Sequence, residues 1–135
     1  IGELFAKHIF VPVGQHWGYR RNLANPERFF AANPEVLALF EARQSPPDHA
    51  LALLSSLRNI ISHDHLTAYR KVGQLGTPTF LVWGEKDLVL PFSESQAVRA
   101  ALGDPAFLAL PDTGHLPQLE NPEASVPPIV EFLAR

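Results

Sequence analysis

The chain of 135 residues has the length of one domain, and 46% of its residues are hydrophobic against 19% charged, a balance typical of a folded globular protein. Its net charge of −3 excludes the strongly basic surface that binds nucleic acid or an anionic membrane. Because the sequence has no cysteine, disulfides, thiolate metal sites and a cysteine nucleophile are excluded as well.

The sequence predicts a soluble protein of the cytoplasm. No hydrophobic run approaches the roughly 20 residues that a membrane helix needs, and no signal-peptide pattern opens the chain. His63 and His65 suggest a metal site, but histidines two apart on a helix point to different faces and no third ligand cluster is visible. We therefore expect no metal and no cofactor. The chain begins with isoleucine and has no methionine, so we expect it to be a piece of a longer protein.

Helices are predicted throughout residues 1–75, the first half of the chain. The triplet Asn-Pro-Glu supplies an N-cap, a proline at the first helical position and an acid in the first turn. It predicts helix starts at Asn25, Asn33 and, near the C-terminus, Asn121. Hydrophobic residues at helical spacing predict a further helix over 65–75, and no strand is indicated in this half. Short helices divided by prolines suit a cover packed over another part of the fold.

Two short hydrophobic runs in the second half, residues 79–83 (TFLVW) and 106–110 (AFLAL), predict strands. A continuous hydrophobic run is typical of a strand buried on both faces of a parallel sheet. A two-stranded sheet is not stable alone in water, so we expect further strands from elsewhere. They would come from a missing N-terminal segment, from a second polypeptide or from a swapped copy of the chain.

One helix is predicted between the strands and another at the C-terminus. Ser93 with Gln96 forms a capping-box pattern at the start of the first, and Gly103 is predicted to end it. The second should begin after Asn121 and break or restart at Pro127-Pro128, because proline lacks an N–H and clashes with the preceding turn. Four hydrophobic residues are expected to dock this last helix: Ile129, Val130, Phe132 and Leu133.

Each strand is followed by a motif that carries a chemically useful side chain. Residues 84–91 read G-x-x-D-x-x-x-P and bring Asp87 into the loop after the first strand. Residues 114–122 read G-H-x-x-x-x-E-x-P and bring His115 into the loop after the second. Together the two motifs closely resemble the C-terminal end of α/β-hydrolase fold enzymes, over residues 76–135.

The resemblance implies a partial α/β-hydrolase fold, within the α/β class. Residues 1–75 would be the helical cap, or lid. Residues 76–135 would be a βαβα unit with two parallel strands, the C-terminal part of the hydrolase core. The resemblance also implies that Asp87 is the acid that orients the catalytic histidine and that His115 is the general base. A loop at the carboxyl end of a buried strand suits an acid that must fix the tautomer of an imidazole.

The nucleophile of that family is lacking in this sequence. Its G-x-S-x-G elbow places the nucleophile on a strained turn between a strand and a helix, and no such string occurs here. The nearest string, residues 14–18 (GQHWG), has a histidine at its centre and no preceding strand. We therefore expect the nucleophile to lie upstream of this chain, and we expect the chain alone to be inactive.

Several of these residues have competing interpretations. Asp87 could merely cap the turn after its strand, and Asp104 and Asp112 are competitors for the role of the acid. Some family members place the acid one strand earlier, which would leave Asp87 without a catalytic role. Trp17 and Leu116 are candidates for substrate binding, with simple packing as the alternative for each.

The sequence therefore predicts an α/β-hydrolase family enzyme, or a fragment of one. It would hydrolyse a small, fairly apolar ester or C–C-bond substrate with a nucleophile-His-Asp triad. Its partners would be the small-molecule substrate and either the missing N-terminal half of the hydrolase core or another copy of the chain. The alternative is a non-catalytic fragment or binding module, such as a swapped oligomer. Dehalogenase, epoxide hydrolase and lactonase activities stay open because the nucleophile helps to decide among them.

Overall fold

The computed structural model describes residues 20–43, 55, 56, 59 and 64–135 of the chain. These residues belong to two compact units. Residues 21–25 and 64–135 form the unit that holds the sheet, and we call it the sheet unit. The other described residues belong to the second unit, which we call the helical unit.

Two helices of the helical unit begin where the Asn-Pro-Glu triplets predicted them. They are α1 (Pro26–Ala32) and α2 (Pro34–Arg43), and they are joined by Asn33. The side chain of Asn33 donates a hydrogen bond to the carbonyl oxygen of Phe29 at 2.9 Å, so it closes the end of α1. Phe30 is buried, and its ring packs edge to face against those of Phe29 and Phe40. The contact between Phe30 and Phe40 joins the two helices.

The sheet unit contains the two predicted strands. β1 (Phe80–Gly84) and β2 (Ala106–Leu110) pair in parallel over their whole length. Among the residues that the structure describes, these strands make up the sheet. Trp83 and Leu110, near the carboxyl ends of the strands, are buried. The predicted α/β class and the parallel pairing are confirmed.

The connection between the strands starts differently from its prediction. A 3₁₀ turn (Phe92–Glu94) leads directly into α4 (Ser95–Leu102), and no side chain caps the first turn of that helix. The capping box of Ser93 and Gln96 is therefore wrong. Ser93 already lies in helical backbone, whereas an N-cap residue needs a non-helical one.

The helix before the sheet, α3 (Leu66–Gln74), confirms the helix predicted over residues 65–75. It packs against α4 within the sheet unit. α4 ends at Gly103, as predicted, because this residue has a φ of +84° and takes the left-handed conformation that glycine adopts without strain. The extent of a cap over residues 1–75 stays a prediction.

Two helices close the chain, α5 (Pro117–Glu120) and α6 (Pro122–Leu133). Ser125 of α6 is fully buried. Its hydroxyl lies 2.8 Å from the carbonyl oxygen of Asn121 and 3.1 Å from that of Pro117. The hydroxyl therefore holds α6 against the end of α5.

α6 continues through Pro127 and Pro128, so the predicted break is wrong. Each proline removes the N–H group that would bond to the carbonyl oxygen four residues earlier, here those of Glu123 and Ala124. Both of these residues are exposed. Water can therefore replace the missing donors, and the helix does not need to end.

Half of the predicted docking face of α6 is covered. Phe132 packs against Phe80 of β1 with ring centroids 5.5 Å apart, and Ile129 is half-buried. Val130 and Leu133 are 59% and 75% exposed, so their assignment to this face was wrong for the described residues. Residues three apart lie on the same side of a helix, so Ile129 and Phe132 share the side that is covered. Val130 and Leu133 lie on the adjacent side, which is exposed.

Candidate active site

Asp87 lies in the loop that follows β1, at the carboxyl end of the sheet. Its side chain is 5% exposed. Its Oδ1 atom accepts hydrogen bonds from the backbone N–H groups of Val89 and Leu90, each at 2.8 Å. Because these donors are two and three residues further along the chain, the loop itself fixes the carboxylate. The arrangement leaves Oδ2 for a second partner.

His115 is that partner. Its Nδ1 atom lies 2.8 Å from Oδ2 of Asp87, although the two residues are 28 positions apart in the sequence. An ionised carboxylate only accepts, so Nδ1 carries the proton in this contact and Nε2 of the neutral ring keeps its lone pair. The side chain of His115 is 31% exposed, against 5% for Asp87. A buried acid thus fixes the tautomer of a more accessible ring that can take up a proton.

Gly84 lets the loops after the two strands meet. A Cβ atom on Gly84 would lie 2.1 Å from the carbonyl oxygen of Gly114 and 2.3 Å from that of Thr113, so a larger residue does not fit. The N–H group of Lys86 also donates to the carbonyl oxygen of Thr113 at 2.9 Å. The glycine of the first motif therefore has a structural reason, which is the close approach that places Asp87 beside His115. A Cβ atom on Gly114 would instead meet Asn22, Ala24 and Glu120.

Residues 21–25 hold both loops from the other end of the chain, and we call this segment the strap. The backbone N–H of His115 donates to the carbonyl oxygen of Asn22 at 2.7 Å. The guanidinium group of Arg21 donates to the carbonyl oxygen of Leu88, beside Asp87, at 3.2 Å. Leu23 is 2% exposed, so the strap is anchored by a buried side chain. The strap was not predicted from the sequence, whose only signal there was the Asn-Pro-Glu triplet, which marks a helix start.

Glu120 joins the strap to the loop that carries His115. Its Oε1 atom accepts a hydrogen bond from the N–H of Gly114 at 2.8 Å, and its Oε2 atom accepts one from the N–H of Ala24 at 2.6 Å. Glu120 belongs to the second sequence motif, but no role was predicted for it. Its place in that motif was the one signal that could have identified it.

Asp104 and Asp112, the competitors for the acid, are paired elsewhere. Asp104 lies 2.6 Å from the guanidinium of Arg99. Asp112 lies 2.5 Å from the Lys86 ammonium, whose hydrogen bond and positive charge hold the pKa of this exposed carboxyl below its usual range. Asp87 is the carboxylate that the structure brings to His115. The catalytic roles of Asp87 and His115 stay predictions.

A cavity of about 420 Å³ opens at the Asp87–His115 pair. Both residues line it, together with Leu90 from the loop after β1 and Pro117 at the start of α5. The rest of its wall is largely hydrophobic and comes from β1, α3 and α4, with Val72, Leu81, Val82, Trp83, Val98 and Leu102. A hydrophobic wall with a few polar groups at one end is typical of a site for an apolar small molecule.

The two residues predicted to bind substrate have different outcomes. Leu116 is half-buried and lies between His115 and Pro117, which both line the cavity. Trp17 lies outside the residues that the structure describes. Substrate binding by either residue stays a prediction.

No cluster of three or more histidine or acidic side chains that could hold a metal ion is found in the described part of the chain. Asp64 accepts a hydrogen bond from the N–H of Leu66 at 2.9 Å, so its carboxylate caps the start of α3. His63 lies outside the described residues. Across the same ranges, every helix is too short or too polar to cross a membrane.

Comparison with known proteins gives one family. The chain matches the model of the alpha/beta hydrolase family over residues 3–127. It is 32% identical over 60 residues to the uncharacterized hydrolase YugF of Bacillus subtilis (strain 168), a match covering 44% of this chain and 22% of that protein. It also superposes on MGS-M2, an alpha/beta hydrolase enzyme from a Medee basin deep-sea metagenome library, with a TM-score of 0.75 and 16% identity. That match covers 98% of this chain and 48% of MGS-M2, so the chain spans about half the length of the solved structure.

Proposed function

Since the chain belongs to the alpha/beta hydrolase family, we propose that Asp87 and His115 are the acid and the base of a nucleophile-His-Asp triad. The proposal is carried by the 2.8 Å contact between Oδ2 of Asp87 and Nδ1 of His115. The contact lies at the carboxyl ends of two parallel strands, where ligands of open α/β sheets bind. A buried acid held by its own loop gives the ring the fixed orientation that general-base catalysis needs.

In the proposed reaction, Nε2 of His115 takes the proton of a nucleophilic hydroxyl while the oxygen of that hydroxyl attacks the carbonyl carbon of the substrate. Asp87 stabilises the imidazolium that forms and stays ionised itself. His115 then gives the proton to the leaving oxygen of an ester or to the leaving carbon of a C–C substrate. The acyl group stays on the nucleophile until a water molecule, deprotonated by the same Nε2, attacks the acyl carbon. The bond to the nucleophile oxygen then breaks, His115 returns the proton to that oxygen, and the acyl group leaves as an acid.

The nucleophile is proposed to come from the remaining part of a hydrolase core, outside residues 1–135. Two features of the sheet unit support this. β1 pairs with β2 on one side, and no described residue pairs with its other edge. The cavity follows β1 through Thr79 and residues 81–84, as a groove beside an unpaired strand would. Another copy of the chain could supply strands, but it would repeat a sequence that lacks the G-x-S-x-G elbow.

The proposed substrate is a small, fairly apolar ester or C–C-bond compound. At the end of the cavity that Asp87 and His115 line, the hydrophobic side chains of Trp83 and Leu90 support an apolar substrate body next to the polar pair. Dehalogenase, epoxide hydrolase and lactonase chemistries use the same kind of histidine and acid. The identity of the nucleophile therefore helps to decide which of these reactions the protein catalyses.

Turnover of p-nitrophenyl acetate tests the proposal. We expect none from the chain alone. We expect turnover from a longer polypeptide in which the chain follows a nucleophile-bearing hydrolase segment, here called the extended protein, and we expect His115→Ala to abolish it. Turnover by the chain alone that His115→Ala abolishes would place the nucleophile within residues 1–135. Activity of the extended protein that survives His115→Ala would contradict the role of His115.

The second candidate function is a non-catalytic binding module, such as a swapped oligomer. The edge of β1 that no described residue pairs with favours it, because such an edge is a template for pairing with another chain. Analytical ultracentrifugation of the chain separates the two candidates. A stable dimer, together with an extended protein that shows no turnover, would support the module.

A further inference from the structure

Glu120 makes contacts that the proposed reaction does not use. Its two carboxylate oxygens accept hydrogen bonds from the backbone N–H groups of Gly114, at 2.8 Å, and of Ala24, at 2.6 Å. Gly114 directly precedes His115, and Ala24 belongs to the strap. The strap also accepts the N–H of His115 itself, at the carbonyl oxygen of Asn22, 2.7 Å away. The backbone is therefore held at two adjacent positions, Gly114 by Glu120 six residues later and His115 by Asn22 of the strap.

We propose that Glu120 is a positioning residue, which keeps the ring of His115 against Asp87 by fastening Gly114 to the strap. The inference rests on the proposed role of His115 as the base. Glu120 acts through the backbone and does not touch the reacting atoms.

The two contacts need a carboxylate at position 120. Both oxygens of Glu120 receive an N–H group, and hydrogen bonds to an ionised acceptor are the stronger kind. Glutamine offers one oxygen and one NH₂ group, so it would place two donors opposite each other at either Gly114 or Ala24. Alanine would leave both N–H groups without this acceptor.

The close fit around Gly114 explains why a small displacement would matter. A Cβ atom on Gly114 would lie 2.7 Å from both the nitrogen of Ala24 and the carbonyl oxygen of Asn22, and 2.8 Å from Oε1 of Glu120. Without Glu120 the loop has lost one of the groups that hold it there. A movement of about 1 Å would lengthen the 2.8 Å contact between Nδ1 and Oδ2 beyond hydrogen-bond distance.

The carboxylate of Asp87 is oriented independently of Glu120. Its Oδ1 atom accepts the N–H groups of Val89 and Leu90, which belong to its own loop. Loss of Glu120 is therefore expected to loosen the histidine while the acid keeps its place. This asymmetry gives the proposal a spectroscopic readout at His115 itself.

The experiment is ¹⁵N NMR of the imidazole of His115 in the full chain, for the wild type, Glu120→Gln, Glu120→Ala and Asp87→Asn. We expect the wild type to hold the tautomer with the proton on Nδ1 and to exchange this proton slowly. Both Glu120 variants should mix the tautomers and exchange the proton about tenfold faster or more, as expected for the loss of a hydrogen bond to a charged group.

Two controls separate the positioning of His115 from the general effects of removing a negative charge and of lowering the stability of the chain. Glu123→Gln removes an exposed carboxylate three positions away, in the first turn of α6, and should leave the spectrum unchanged. Phe132→Leu weakens the packing of α6 on β1, and its thermal unfolding shows how a merely less stable chain behaves. If Glu120→Ala does not fold, Glu120→Gln carries the test.

The outcomes are distinct. An Nδ1 proton that exchanges as slowly in the Glu120 variants as in the wild type would overturn the proposal, as would equal loosening in Phe132→Leu. If Asp87→Asn changes the tautomer while the Glu120 variants do not, the pair exists and only the positioning role fails. If Asp87→Asn changes nothing either, the pair does not form and the proposed function fails with it.

Discussion

The loops that carry Asp87 and His115 end neighbouring strands but are held in different ways. Asp87 is oriented by the N–H groups of Val89 and Leu90, which follow it directly in the sequence. The loop of His115 depends on the strap, through Glu120 and a contact between residues 96 positions apart. The carboxylate of Asp87 is therefore oriented by local structure and the histidine by the tertiary fold, although Arg21 of the strap also donates to the loop of Asp87. The two halves of the pair should respond differently to mutation.

The position where both loops meet gives the largest expected effect. Gly84→Ala would place a Cβ atom 2.1 Å from the carbonyl oxygen of Gly114, and backbone on both sides must move to relieve this contact. We expect a loss of about 4 kcal/mol or more in the free energy of unfolding, measured by urea denaturation. The matched control is Gly76→Ala, where no atom lies within 4 Å and only the φ of +66° is strained, at about 1 to 2 kcal/mol. Equal losses at the two glycines would contradict the close approach.

The second prediction compares the stability cost of truncating a leucine in the strap, which holds the loop of His115, with that of truncating one in the loop of Asp87. Leu23 anchors the strap and is 2% exposed, whereas Leu88 follows Asp87 and is 59% exposed. We expect Leu23→Ala to cost about 3 kcal/mol in urea denaturation, by loss of buried surface and by the cavity that it leaves. Leu88→Ala should cost less than about 0.5 kcal/mol. The dependence of the histidine loop on the strap would be refuted if Leu23→Ala left the imidazole tautomer of His115 unchanged.

The ion pair of Lys86 and Asp112 lies at the surface where the loops meet, and it gives the smallest expected effect. Asp112 has a φ of +54°, a conformation that asparagine also tolerates, so Asp112→Asn removes the charge without adding strain. The pKa of Asp112 is lower in the folded chain because of Lys86. The pair therefore stabilises at pH above the unfolded value, and this stabilisation is lost as the pH falls through the folded one.

Melting temperatures of the wild type and Asp112→Asn, measured against pH at low and high salt, check this. The difference should be small near neutral pH, since the pair is exposed, and it should vanish in acid and in high salt. A difference that grew as the pH fell would reverse the sign assigned to Asp112.

Much of the sheet unit could be predicted because its signals are local. A hydrophobic run of five residues identified each strand, and β1 began only one residue later than predicted. The end of α4 at Gly103 was likewise predictable from one residue with a special conformation. Asp87 was assigned to the loop after β1 for the same reason, since the motif and the strand adjoin.

What could not be predicted depends on contacts or solvent beyond the local sequence. Pro127 and Pro128 are compatible with α6 because the carbonyl groups that lose their donors belong to exposed residues, which a helix rule for proline ignores. The strap was missed because Asn22 and Ala24 contribute backbone atoms, whose contacts the side-chain pattern does not reveal. Glu120 could be identified from its place in the motif, but its hydrogen bonds to Gly114 and Ala24 could be identified only from the structure.

The central claim is that Asp87 orients His115 for general-base catalysis, and kcat/KM of the extended protein tests it most directly. Asp87→Asn should lower kcat/KM for p-nitrophenyl acetate by about 10³- to 10⁴-fold, because an amide does not hold the ring in the productive tautomer. The matched control is Asp112→Asn, which changes an exposed aspartate of the neighbouring turn. Its kcat/KM should stay within about twofold of the wild-type value. Full activity in Asp87→Asn, with the fold intact, would contradict the account.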